Sequence, residues 1–121
     1  MENILVHTEL QTGDQAASRA FYTKLFDWKF EDIPMGDTTY GMVHFGEDEI
    51  VIGLTDTTCP ENSTFWINYM LVEDIEADKK KAESLGAQCI QDVTEVPGRG
   101  KFCFLQDPQG AKFALWQKTH E

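Results

Sequence analysis

The chain has 121 residues, 41% of them hydrophobic and 12% aromatic, enough to bury a core within one domain, residues 1–121, without disulfide or metal staples. Its 21 acidic residues outnumber 10 basic ones, for a formal net charge of −11, a sign that opposes nucleic acid and anionic membranes as partners. No charged-then-apolar leader and no long apolar run is visible, and the 3 cysteines form no CxxC pair, so reduced thiols and a cytoplasmic location are expected.

Asn3 to Gln11 alternates as a strand, with Ile4, Val6, Thr8 and Leu10 on one face and His7 and Glu9 on the other. Asp14 stands where it can cap a helix over QAASRAFYTKLF, in which Ala17, Phe21 and Leu25 form an apolar stripe. Strands over Asp27–Ile33, Thr38–Phe45 and Ile50–Leu54 follow, with polar turns between them. Residues 56–64 are rich in turn formers and read as a linker.

A second half, residues 65–121, repeats the first, residues 1–55, at an offset of about 60. Phe65 to Val72 is a strand, Asp74 takes the place of Asp14, and Ile75 to Leu85 is a helix stopped by Gly86. Lys79-Lys80-Lys81 lies within that helix among acidic neighbours and reads as a solvated face. Cys89 and Cys103 stand in apolar runs and are expected to be buried. Asp107-Pro108-Gln109-Gly110 joins FCFL to KFALW as a tight hairpin.

The segments VHTEL and GDQAASRAFYTKLFDW, INYMLVEDIEADKKKAESLGA and LQDPQGAKFALWQ together resemble the vicinal-oxygen-chelate superfamily of glyoxalases, bleomycin-resistance proteins and extradiol dioxygenases. The nearest likeness is to its glyoxalase-like subgroup, with a VPG.G loop before DPQGA.FALWQ. That resemblance implies an α+β fold in which two βαβββ repeats form a cupped eight-stranded mixed sheet with helices outside. It also implies a homodimer.

Enzymes of that family hold a divalent metal with four side chains, and the resemblance puts the first ligand on His7. The other three positions fall on Gly53, Ile67 and Ala114, none of which carries a donor. A slip of one residue on the last strand brings up Phe113 or Leu115, still without a carboxylate. One imidazole is too little for a stable metal site, so neither metal nor other cofactor is expected.

What remains is binding of a small aromatic or apolar molecule, with His7, Glu9, Tyr40, Met42, His44, Tyr69, Phe104 and Trp116 as candidate ligand-binding residues. His7 and Glu9 are a polar anchor or general-base pair by their spacing; the aromatics offer flat apolar surface, although core packing is the plain role of any one of them. Gly53 and Ala114 would leave room where metal-bound relatives place carboxylates, and Arg99 in the Pro97–Gly100 loop is a candidate anchor for a carboxylate. The competing expectation is a metal-dependent lyase, isomerase or dioxygenase of the same superfamily, using His7, Glu9 and His44 in an atypical site. A third is a subunit whose cavity is vestigial and whose dimer surface matters.

Overall fold

The computed structural model describes residues 5–35, 38–43, 51–56 and 64–119. Its elements run β1 (Leu5–Thr12), α1 (Gln15–Phe26), β2 (Glu31–Met35), β3 (Thr38–Val43), β4 (Val51–Asp56), β5 (Phe65–Leu71), α2 (Ile75–Ser84), β6 (Gln88–Val96), β7 (Gly100–Gln106) and β8 (Lys112–Lys118). The class is α+β, and the order βαβββ occurs twice, as the sequence predicts. By packing, the chain divides into two compact units, His7–Ile67, and Asn68–Glu121 with Met1–Val6.

In the first unit the strands lie in the order β2-β3-β4-β1. β1 runs parallel to β4, while β2, β3 and β4 are successive antiparallel neighbours. The second unit has the same pattern, β5-β8-β7-β6, with β5 parallel to β8 and the other pairs antiparallel. Parallel pairing of each repeat's first and last strands requires a long crossover between them, and the helix and hairpin supply it.

Local chemistry repeats as faithfully as topology. Asp14 caps α1 by accepting from the Ala17 amide at 3.0 Å, and Asp74 caps α2 by accepting from the Ala77 amide at 3.1 Å. Arg19 of α1 pairs with Asp32 of β2 at 2.6 Å, and at an offset of 60 residues Lys79 of α2 pairs with Asp92 of β6 at 3.4 Å. Burial works against the Lys79 charge, but Asp92 and Glu83 outweigh it and raise the ammonium's pKa. The Val93 amide and then Lys79 hold the Asp92 carboxyl below its usual range. Lys79 is thus engaged rather than solvated, whereas Lys80 and Lys81 are exposed.

Several expectations are corrected by the coordinates. The second strand begins at Glu31 rather than Asp27, because Asp27 closes α1 in a left-handed conformation at φ 60° with its amide on the Thr23 carbonyl. The fourth strand continues to Asp56, since Gln11 and Thr12 pair with Thr55 and Asp56 there. On α1, Ala17, Phe21 and Leu25 are all exposed, and the half-buried side is Gln15, Ser18, Arg19 and Tyr22. Cys89 is exposed while Cys103 is buried, and burial pushes the Cys103 thiol up to about 12. The hairpin turn is as predicted, with the Gly110 amide on the Asp107 carbonyl at 2.9 Å and Gly110 at φ 98°.

The core of the second unit is Val72, Ile75, Cys103, Leu105 and Leu115. In the first, Leu10, Val43, Leu54 and Ile67 are buried together with three polar residues of β1, Glu9, Gln11 and Thr12. Burying a carboxylate is costly unless donors surround it, which singles out Glu9.

Candidate functional site

β1 places His7, Glu9 and Gln11 on one face, and the hydroxyl of Tyr40 from β3 reaches between the first two. Tyr40 Oη donates to Glu9 Oε1 at 2.5 Å and lies 2.7 Å from His7 Nε2. The other carboxylate oxygen accepts from the Gln11 side-chain amide. Because the single phenolic hydrogen goes to the carboxylate, the His7 contact requires Nε2–H to donate to the phenol oxygen. His7 and Glu9 are themselves 3.9 Å apart, so they communicate through the tyrosine rather than by a direct bond. Glu9 is only 2% exposed and His7 18%, which makes the imidazole the accessible end of a three-residue chain.

Gly53 makes this possible. It pairs with Glu9 on one side and Met42 on the other. A methyl group at position 53 would collide with the Tyr40 hydroxyl and stand 2.9 Å from His7 Nε2. The room expected there is therefore filled by the phenol, and Tyr40 occupies the place a side chain at 53 would take.

The second unit has an equivalent corner of opposite character. Tyr69 on β5 pairs with Ala114 on β8 as Glu9 pairs with Gly53, and Phe104 faces Ala114 as Met42 faces Gly53. Tyr69 meets Phe102 and Phe104 edge-on at 6.4 and 6.0 Å between centroids, and the two phenylalanines are 5.2 Å apart. Trp116 pairs with Phe102 across β8 and β7 and is half-buried, its ring lying over Gly100. Tyr40, central to the first corner, entered the sequence reading only as an aromatic; nothing in its spacing from His7 or Glu9 announced the hydrogen bonds.

Of the predicted ligand-binding residues, His7, Glu9, Tyr40 and Met42 come together in the first unit, and Tyr69, Phe104 and Trp116 in the second. His44 lies outside the described residues. Arg99 is exposed on the loop between β6 and β7, its amide on the Val96 carbonyl. Among the described residues, no three of His, Cys, Asp and Glu are grouped to hold a metal ion.

The two βαβββ units define the fold class, and sequence comparison gives the family. The model of the Glyoxalase/Bleomycin resistance protein/Dioxygenase superfamily matches residues 4–115. The chain belongs to that superfamily. It is 34% identical over 113 residues to CFP32 of Mycobacterium tuberculosis, which bears a provisional glyoxylase name, covering 90% of this chain and 43% of that protein. It is 30% identical over 125 residues to the anthracycline biosynthesis protein DnrV of Streptomyces peucetius, covering 91% of this chain and 45% of that protein. The chain therefore spans less than half the length of these relatives. Among solved structures, methylmalonyl-CoA epimerase of Streptomyces coelicolor superposes with a TM-score of 0.70 at 14% identity, covering 99% of this chain and 100% of the other. The protein BH1468 of Bacillus halodurans gives 0.68 at 17% identity, covering 100% and 98%. At such identities the likeness is one of fold.

The divalent metal of family enzymes does not fit the residues present. Of the four positions expected to hold it, His7, Gly53, Ile67 and Ala114, only the first has a donor, and its Nε2 is engaged by Tyr40. Both oxygens of Glu9 are likewise committed, to Tyr40 and to Gln11.

Proposed function

We propose that the chain binds a small, flat aromatic or apolar molecule without a metal ion, with the imidazole of His7 as polar anchor. The observation that carries this reading is the divergence of the two equivalent corners. One is a hydrogen-bonded chain, Glu9–Tyr40–His7, and the other is an aromatic cluster of Tyr69, Phe102 and Phe104. In its own unit the imidazole offers a hydrogen-bonding partner to an oxygen function, and in the other the ring cluster offers flat apolar surface. The name of the Streptomyces relative, which refers to anthracyclines, points to compounds of the same kind. Glu9 and Tyr40 act as positioning residues: the buried carboxylate fixes the phenol, and the phenol fixes the tautomer and orientation of the imidazole. A homodimer in the cytoplasm belongs to the same reading.

Thermal denaturation with 1,4-dihydroxyanthraquinone, with and without a chelator, tests it. A rise in Tm that survives the chelator and shrinks in Tyr40→Phe and His7→Ala is expected. Stabilisation that appears only when a divalent cation is added would put a metal enzyme in place of the binder.

A further inference from the structure

On the opposite side of β1 from Tyr40, the first unit carries a cleft against α1. Glu9 faces Tyr40, so by strand alternation Leu10 and Thr12 face the other way, where Thr12 Oγ1 meets Ser18 of α1 at 2.8 Å. Between α1 and the start of β5 lies a cleft of about 340 Å³ lined by Leu10, Ala17, Phe21, Tyr22, Phe65 and Trp66, with Ser18 and Thr64 as its polar members. Its floor, Leu10, is 3% exposed, whereas Phe21 and Trp66 keep 58% and 41% of their surface in solvent. The walls are ring surfaces held by one another: Tyr22 meets Phe21 edge-on at 5.0 Å and Trp66 edge-on at 5.7 Å, and stacks on Trp28 at 5.5 Å.

The geometry points to this cleft as a binding site for a one- or two-ring aromatic compound bearing a single hydroxyl or carbonyl oxygen. Its volume is at the small end of the range of ligand pockets, about 300–1,000 Å³, and suits a compound of that size. A protein interface of ordinary size instead needs about 800 Å² of surface from each partner, which is a flatter and wider arrangement than a recess floored by a buried leucine. Polar recognition is sparse and specific. Thr64 Oγ1 accepts from the Gly13 amide at 3.1 Å, and among the described residues none accepts its own hydroxyl hydrogen, which leaves that hydrogen to an oxygen of the ligand. The Ser18 hydroxyl is already shared with Thr12. The aromatic walls would supply edge-to-face and stacking contacts, which such a ring accepts from several sides.

Isothermal titration of the full chain with 2-naphthol tests the assignment. A saturable site is expected whose affinity falls at least about tenfold in Ala17→Phe, a substitution at an exposed helix position that fills the cleft. A smaller loss is expected in Phe21→Ala, which opens a wall without touching the core; this second variant holds the test if the first fails to fold. Absence of saturable binding to the wild-type chain would overturn the site. So would binding untouched by Ala17→Phe and Phe21→Ala but lost in Tyr40→Phe, which would put the compound on the other face of β1. Self-association of the wild-type chain that Ala17→Phe abolishes would give the cleft to a second copy and overturn it equally.

Discussion

Gly53 decides what its corner can be. Any larger residue would collide with the phenol of Tyr40, so Gly53→Ala is expected to expel the hydroxyl from between His7 and Glu9 and to cost about 1–3 kcal/mol in chemical denaturation. The Tyr40→Phe chain should lose a similar amount by a different route, leaving a carboxylate that is 2% exposed with one donor fewer. If the two losses reflect the same bonds, the double variant will fall well short of their sum. Of this corner, His7 and Glu9 were legible in the sequence, because strand alternation alone puts them on one face. Tyr40 was named as a candidate, but its bonds to them were not legible, since it comes from a strand 31 residues on from Glu9, and only the register of β3 against β4 brings it near. The small residue at 53 was visible, but its meaning was inverted: it makes space for a side chain of the protein.

At the level of the helices, the repeat explains both what could be read and what misled. Capping aspartates precede both helices, and each is expected to contribute about 1 kcal/mol, so Asp14→Ala and Asp74→Ala should lower stability by comparable amounts. A loss confined to one of them would show that the repeats are not held alike. The inward side of α1 is Gln15, Ser18, Arg19 and Tyr22, and that of α2 is Ile75, Asp78, Lys79 and Ala82, the same four positions at an offset of 60. Periodicity of apolar residues picked the wrong side of α1 because three of these four are polar. Each polar one finds a partner outside the helix: Gln15 the Thr39 carbonyl and Asp56, Ser18 the Thr12 hydroxyl, Arg19 Asp32. Arg19 also lies over the Phe30 ring at 5.1 Å, yet its Nε and Nη2 are buried without hydrogen-bond partners among the described residues. Gly41→Ala would bring a methyl against Arg19 Nη2, the far end of a flexible side chain that can shift, and 3.2 Å from the Phe30 ring, so only a small fall in the urea midpoint is expected.

Across the whole chain, excess acid and the buried thiol of Cys103 shape the response to pH. With a pI near 4.5, solubility should pass through a minimum close to that pH, as repulsion between molecules vanishes. At the alkaline end Cys103 governs a separate loss. Its thiol ionises near 9.0 when unfolded and near 12 when folded, so the native state is fully favoured below pH 9.0 and loses that advantage as pH rises from 9.0 towards 12. The loss should reach the order of 1 kcal/mol one pH unit above the unfolded value, and Cys103→Ala should flatten it. Family and architecture were legible from four segments spread along the chain, because turn chemistry and caps act locally. The corners were less so, because they depend on which residues of separate strands end side by side.

Paired capping and paired charge hold both βαβββ halves in the same shape, so their interiors could diverge without either half losing its frame. A duplicated scaffold thereby tolerates unlike interiors: one half keeps a hydrogen-bonded chain and its twin a cluster of rings, so a substitution inside one need not disturb the frame of the other.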